Sequence, residues 1–167
     1  MIFPSALTTR VIIAKMGASP EYFQAGDSLL KPGMVCMEDD ADEVKACITT
    51  GKPFGIVGCD ADHDLNTVYA AGERVPVWKL GCGAIIMVRC GDITPAQTIT
   101  KGAQMDTADA TTWVGCGKVR DALVAVTTTV GGNGALRNIS EFFVIGEAQA
   151  TGSITTEITR YVPILLR

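Results

Sequence analysis

Residues 73–90 read ERVPVWKLGCGAIIMVRC and decide the fold, because they contain two apolar segments joined by a glycine-rich turn. In the first segment Val75 and Val77 fall on one face, as the two-residue period of a β-strand requires. The second segment is dominated by β-branched side chains, which favour strands. These are Ile85, Ile86 and Val88. The stretch therefore predicts two consecutive strands with a tight connection.

The glycines and the proline of this stretch place its turn and its edge. Gly81-Cys82-Gly83 suits a tight turn or bulge, because glycine adopts positive φ without strain. Gly115-Cys116-Gly117 repeats the triplet, and strand-like residues follow both, whereas a phosphate-binding loop needs a helix to follow. We therefore predict turns and no nucleotide site. Pro76 has no amide to donate, which predicts an edge position or an outward-facing amide.

Short apolar segments continue in both directions between Gly, Pro, Asp and Thr. The further predicted strands are residues 11–16, 34–37, 54–57, 113–119, 122–130, 142–148 and 154–166. Turns are predicted at Lys31-Pro32-Gly33 and at Gly131-Gly132-Asn133-Gly134. Helical signal is confined to residues 40–48, with Asp40 or Asp42 as the cap, and to one turn at 94–98. Strands at a spacing of about 8–12 residues are typical of all-β folds. We predict a mainly β fold, a small β-barrel or β-sandwich with at most one or two short helices.

Composition limits the classes of partner. The 167 residues fit one domain, divided into an N-terminal arm with a first strand (1–25) and a β-barrel or sandwich domain (26–167). Hydrophobic residues make up 47% and the mean hydropathy is +0.27, which favours apolar surface covered by other subunits; a compact domain rich in small residues is the alternative.

The net charge of −4 and the scattered basic residues argue against nucleic-acid binding. The apolar runs are too short for a membrane span, and MIFPSALTTR lacks the features of a secretory signal.

The six cysteines do not form a recognisable metal-binding pattern. They lie at positions 36, 47, 59, 82, 90 and 116, without a CxxC pair, and the chain has one histidine. A zinc site would need several of these scattered thiols to converge. We expect buried thiols that behave as small hydrophobic side chains, and we leave a disulfide open.

The segment Cys59-Asp60-Ala61-Asp62-His63-Asp64 is the one candidate for site chemistry. A thiol, an imidazole and carboxylates are the groups used in nucleophilic catalysis, but no helix N-terminus or basic group is evident to lower the thiol pKa. The alternate aspartates resemble a calcium loop that lacks the central Gly and the bidentate Glu. With one histidine, no Ser-His-Asp triad is supported. We therefore predict an acidic turn, with no catalytic, cofactor-binding or metal-binding residue and no cofactor.

One internal similarity occurs between two glycine-broken apolar segments. Phe54-Gly55-Ile56-Val57-Gly58-Cys59 resembles Phe143-Val144-Ile145-Gly146-Glu147-Ala148. The similarity indicates either two strands in similar settings or chance. In a chain rich in Gly and Val we favour chance, and no repeat array is predicted from it.

Read in order over residues 26–167, the segments resemble the small head-decoration or capsid cement proteins of tailed viruses. The matching segments are KPGMV (31–35), FGIV (54–57), YAAGERVPV (69–77), GCGAII (81–86), ITKGAQM (99–105), IGEA (145–148), TG (151–152) and the apolar C-terminal strand ending at 162–166. The six cysteines and the acidic turn at 60–64 depart from that pattern.

The resemblance implies a virion structural protein that decorates and stabilises the outer capsid surface, without enzymatic activity. Its implied partners are the major capsid protein and further copies of itself, such as a trimer, with no nucleic acid and no membrane. Residues 1–10 and 161–167 are expected to serve as arms that add strands to a neighbour. Two alternatives stay open, namely a small β-barrel enzyme using Cys59 and His63, and an envelope-associated module that binds carbohydrate or metal.

Overall fold

The computed structural model describes residues 12–14, 17–47, 52–90, 97–107, 119–121, 146–154 and 160–167, and its regular elements are all β-strands. The predicted mainly β class is confirmed. No helix capable of crossing a bilayer occurs in these ranges. In chain order the strands are β1 (Ile12–Ala14), β2 (Glu21–Ala25), β3 (Val35–Asp40), β4 (Glu43–Ala46), β5 (Gly55–Val57), β6 (Arg74–Lys79), β7 (Ile85–Cys90), β8 (Gln97–Ile99), β9 (Gln104–Thr107), β10 (Val119–Asp121), β11 (Gly146–Ala148), β12 (Gly152–Ile154) and β13 (Arg160–Leu166).

Five strands form a closed β-barrel, which we call the first ring. Its order is β2-β4-β3-β5-β6, and β6 pairs back onto β2. The β2–β4 pair is parallel and the other four pairs are antiparallel. Closure removes the long open edges of a flat sheet. Its core consists of Ala25, Leu30, Met34, Cys36, Val44, Ala46, Val57, Tyr69, Val75 and Val77.

Five later strands form the second ring. The parallel pair is β7–β10, and antiparallel pairing then runs through β9, β11 and β13 before β13 returns to β7. Strand β1 adds to β7, and β8 pairs with β12 in a separate two-stranded sheet. Core side chains of this ring include Ile86, Val88, Met105, Ala148, Val162 and Ile164.

The second ring repeats the first in strand order, direction and register. Strands β2, β3, β4, β5 and β6 correspond to β7, β9, β10, β11 and β13, including the one parallel pair. Directly opposed residues also correspond across three neighbouring strands. One matching set is Cys36, Gly55 and Lys79 in the first ring and Met105, Gly146 and Leu166 in the second.

The turns before β3 and β9 are also equivalent. We call residues 31–34 the β3 turn and residues 100–103 the β9 turn. In the β3 turn the last amide donates to the first carbonyl over 3.1 Å, and in the β9 turn the distance is 3.0 Å. Each has a positive-φ glycine at its third position, with φ of 83° at Gly33 and 91° at Gly102. Pro32 precedes Gly33, as a type II turn favours. The KPG turn predicted from the sequence is therefore confirmed.

The prolines of β6 and β13 occupy matching places. Gly58 N–H donates to Pro76 O over 2.7 Å, and Gln149 N–H donates to Pro163 O over 2.8 Å. Strand β6 pairs on both sides, so the predicted edge position is wrong. Because Pro76 cannot return a hydrogen bond, Gly58 O accepts the Tyr69 hydroxyl instead, at 3.0 Å.

The outer face of the first ring packs against the second ring. Val35, Ile56 and Trp78 are directly opposed on β3, β5 and β6, and all three belong to the core cluster that contains the second ring's side chains. Residues of β5 and β6 are thus buried on both faces, which explains their almost continuous apolar sequence. At the equivalent outward positions of the second ring, Glu147 and Leu165 are partly exposed.

The helix predicted at residues 40–48 is wrong. Residues 43–46 form β4, in which Val44 and Ala46 are buried and the alternate residues are more exposed. A two-residue burial period fits a strand and not a helix. Asp40 and Asp42 instead lie at the tip of the β3–β4 hairpin. Of the second helical segment, residues 97–98 belong to β8 and residues 94–96 lie outside the described ranges.

The C-terminal arm is also a wrong expectation. Residues 161–166 belong to β13, which pairs with β7 along residues 160–165 and with β11 along residues 164–166, so this segment is part of the second ring and not a projecting arm. Strand β2 lies within residues 1–25 and closes the first ring. The arm at 1–10, the glycine triplet at 115–117, the predicted strand at 122–130 and the turn at 131–134 lie outside the described residues.

The internal similarity has a structural basis. Gly55 of β5 and Gly146 of β11 occupy the same place in the two rings, so the two segments lie in similar settings, which was the alternative to chance. The sequence comparison paired these segments two residues out of register, matching Val57 rather than Gly55 with Gly146. The cause is the short length of both strands, which leaves few residues to fix an alignment.

Candidate functional site

The acidic turn predicted at residues 59–64 begins where the buried strand β5 ends. Asp60 Oδ1 accepts the N–H groups of Asp62 at 2.9 Å and His63 at 2.7 Å. An aspartate that bonds the amides following it forms an Asx turn. The same carboxylate contacts His63 Nδ1, at 2.8 Å from Oδ1 and 3.0 Å from Oδ2. Asp60 therefore orders the loop backbone and the histidine together.

His63 lies at the centre of this loop with both ring nitrogens engaged by carboxylates. Nδ1 meets Asp60, and Nε2 is 3.1 Å from Glu73 Oε2. The ring stacks on Tyr69 with centroids 3.9 Å apart, and 13% of the side chain is exposed. Burial opposes the charged form, but the hydrogen bonds and charges of Asp60 and Glu73 outweigh it and raise the pKa of His63 above its ordinary value.

This arrangement does not suit His63 for proton abstraction. An imidazole with a carboxylate at each nitrogen donates to both only in its protonated form, which has no lone pair to accept a proton. Glu73 Oε2 also accepts the Ala70 N–H at 2.6 Å. The histidine thus joins the start of the loop to its end.

The Asp64 carboxylate serves the backbone of the loop. Asp64 Oδ1 accepts the amides of Asn66 at 2.8 Å and Thr67 at 2.9 Å, together with the Thr67 hydroxyl at 2.8 Å. These hydrogen bonds lower the pKa of Asp64. Across the described part of the chain no group of three or more potential metal ligands converges. The structure brings Asp60 and His63 together and turns Asp64 toward its own loop.

Cys59 is partly buried and packs with the core cluster of the second ring. Tyr69 and Tyr161 lie near enough for it to contribute to their pKa values, which are raised mainly by burial. The sequence prediction of buried thiols holds for Cys36, whose Sγ donates to Gly55 O at 3.4 Å. Burial raises the pKa of Cys36, which disfavours the reactive thiolate.

Arg89 fixes the loop and the β3 turn to the second ring. Its Nε donates to Pro32 O at 3.1 Å, its Nη2 donates to Leu65 O, and its guanidinium carbon lies 5.5 Å from the centre of the Tyr161 ring. The Arg89 backbone N–H also donates to Gly33 O at 2.8 Å. Sequence analysis missed this residue. Its one signal was a charged side chain inside an apolar strand, which does not identify acceptors tens of residues away.

No protein-family model matches this chain, and no curated protein matches it either. Its function must therefore be argued from the arrangement of its own residues.

The exposed part of the first ring offers the clearest candidate contact surface. Tyr22 on β2 is 52% exposed, and the Arg74 guanidinium lies 4.3 Å from the centre of its ring. Next to β2, the β3–β4 hairpin has five acidic residues between positions 38 and 43. The Asp42 carbonyl accepts the Gln24 N–H at 2.8 Å, so the hairpin tip adjoins β2 directly. Tyrosine and arginine are enriched in protein interfaces.

Proposed function

We propose that the chain is a non-enzymatic structural protein that decorates and stabilises the outer surface of a viral capsid. We call residues 58–73, between β5 and β6, the His63 loop. The observation that supports the proposal most is that the reactive groups of this loop serve as structural contacts. The groups that could perform chemistry, His63 and its carboxylates, hold the loop together, and Arg89 holds the loop to the second ring. A rigid double barrel suits a protein whose task is to bind and reinforce.

The segments that carry the family resemblance form the framework of this double barrel. KPGMV supplies the β3 turn and the start of β3, and YAAGERVPV supplies the end of the His63 loop and β6. GCGAII supplies the turn between the rings, where Gly81 and Gly83 have positive φ of 84° and 74°, and the start of β7. The order of features thus corresponds to an order of structural parts, which supports kinship of fold.

Reinforcement follows from mass action. A ligand that binds the assembled shell better than the free shell subunits shifts the equilibrium toward the shell by its difference in affinity. The protein would occupy sites on the outer surface, alone or as a homo-oligomer.

The test is binding to undecorated shells assembled from the major capsid protein encoded in the same genome. We expect saturable co-sedimentation of the purified chain with shells, weak binding to unassembled shell subunits, and a higher dissociation temperature for the decorated shells.

The matched control is Cys59→Ala, which removes the thiol that the enzyme alternative assigns to chemistry with His63. Under this proposal it binds and stabilises shells as well as the unsubstituted chain. No co-sedimentation at any concentration would refute the proposal, and a catalytic activity abolished by Cys59→Ala would establish the enzyme alternative.

A further inference from the structure

Because the second ring repeats the first, three residues of the first ring have equivalent residues in the second. The shared register equates Tyr22 with Met87, Gln24 with Arg89 and Arg74 with Tyr161. We call Tyr22, Gln24 and Arg74 the β2 face, and Met87, Arg89 and Tyr161 the β7 face. The β2 face lies on the paired strands β2 and β6, and the β7 face lies on the paired strands β7 and β13.

The β7 face is occupied within the chain by the β3 turn of the first ring. Gly33 O accepts the Arg89 N–H at 2.8 Å, and Pro32 O accepts Arg89 Nε at 3.1 Å. Gly33 lies so close that a Cβ there would be 3.2 Å from Met87 O and 3.5 Å from the Tyr161 ring. On this edge of β7, Ile85 and Ile86 pair with β1 and Cys90 pairs with β10. The β3 turn fills the space between them.

On β2 the equivalent amide, that of Gln24, is bonded to Asp42 O, and the strand edge is open two residues earlier, at Tyr22. On β2, strand β4 pairs with Gln24 and Ala25 only. In the described ranges no strand pairs with residues 21–23 on this β4 side of β2. The Gln24 and Gly26 amides point to the β4 side, so by the alternation of a strand the Tyr22 amide points there too. The Tyr22 side chain is 52% exposed.

The equivalent of the β3 turn is exposed as well. In the β9 turn, Thr100, Lys101 and Gly102 are exposed, and a Cβ on Gly102 would have no atom within 4 Å. The chain therefore has one occupied copy of this contact, between its own rings. Among the described residues, the β2 edge at residues 21–23 and the β9 turn are the counterparts that no described strand or turn covers.

We propose that the β9 turn of one copy of this chain binds the β2 face of the next, in a contact that resembles the one between the two rings of each chain but lies two residues earlier on the strand. Gln24 N–H is already bonded to Asp42 O, so the Tyr22 amide is the donor that Gly102 O meets. Lys101 then approaches the acidic β3–β4 hairpin beside β2, which adds charge complementarity. The contact is head-to-tail, so it generates a ring if its rotation closes and a filament if it does not.

This intermolecular contact is weaker than the internal one. The internal contact also buries Val35, Ile56 and Trp78 and benefits from the high effective concentration of two rings in one chain. The Lys101 contribution makes association decrease as salt is added. Self-association is measured without shells, so its failure is distinguishable from a failure of capsid binding.

The first experiment is sedimentation velocity of the whole chain over a wide concentration range. We expect concentration-dependent association that Tyr22→Ser and Gly102→Asn each weaken at least about tenfold, because truncating an interface tyrosine or obstructing a close backbone contact removes a central part of an interface. Asn tolerates positive φ, so Gly102→Asn leaves the turn intact.

The controls are matched in chemistry. Leu29→Ser alters the other exposed large hydrophobic residue of the described ranges, at 36% exposure. Gly81→Asn alters another exposed positive-φ glycine with no atom near its Cβ position. Both should associate as the unsubstituted chain does. A chain that stays monomeric at all concentrations, or losses equal in variants and controls, would overturn the proposal.

The decisive arm mixes the two interface variants. Tyr22→Ser keeps an intact β9 turn and Gly102→Asn keeps an intact β2 face, so the mixture should form a 1:1 heterodimer that grows no further, while each variant alone stays monomeric. If the mixture remains monomeric, the interface is not head-to-tail and the inference is wrong.

Discussion

His63 stabilises the first ring through its charge, so its contribution depends on pH. The pKa of His63 is raised in the folded protein, which means that the stabilisation is fully present below the unfolded value of about 6.5 and is lost as pH rises through the folded value. We predict that the free energy of unfolding, measured by urea denaturation, decreases as pH rises above about 6.5. His63→Gln should flatten this dependence. An unchanged slope in the variant would mean that another group is responsible.

At the residue scale, the sequence allowed the local contacts of the site to be predicted and not the long-range ones. The segment 59–64 was correctly interpreted as an acidic turn, because Asp60 and the amides it bonds are neighbours in the chain. The partnership of His63 with Glu73 and the anchoring by Arg89 could not be predicted. Those contacts exist only once β6 and β7 have brought distant residues together.

The strands depend on two equivalent glycines where neighbouring backbones come closest. A Cβ on Gly55 would be 2.6 Å from Val77 Cγ1 and 2.7 Å from Trp78 O, and a Cβ on Gly146 would overlap Leu165 O. We predict that Gly55→Ala and Gly146→Ala each destabilise the protein by about 3 kcal/mol, as overpacking against backbone does, or prevent folding.

The matched control for these glycines is Gly26→Ala. A Cβ there meets the Asp39 carboxylate at 3.0 Å, and this flexible side chain can move away. Melting temperatures and soluble yields of the three variants measure the effect. Equal behaviour of Gly26→Ala and the two strand variants would contradict the close approach of β5 to β6 and of β11 to β13.

Strands with a clear period were predictable as elements, and short ones in acidic surroundings were not. Val75 and Val77 marked β6 because apolar residues at alternate positions predict a strand. In the folded chain β6 is buried on both faces. Strand β4 was taken for a helix because its acidic start resembles a helix cap, and four residues are too few to show a period. The hairpin partner β3 decides the outcome, and that pairing is not visible in local sequence.

At the scale of the whole molecule, the two rings are one architecture used twice. The sequence concealed this because the numbering offset differs from strand to strand, as the pairs Tyr22 with Met87 and Gly55 with Gly146 show. Matching residues also differ in character where one ring is covered and the other is exposed: Ile56 is buried and Glu147 is partly exposed. Register revealed the repeat, and register is a property of the folded chain.

The proposed role is that of a protein that coats a lattice through repeated weak contacts. The measurement that tests this most directly is the mass ratio of the chain to the major shell protein in purified intact particles. The account predicts a fixed, reproducible ratio that persists through gradient purification and disappears when particles are stripped. Particles that lack the chain, or carry it in amounts that vary between preparations, would contradict a structural role on the capsid.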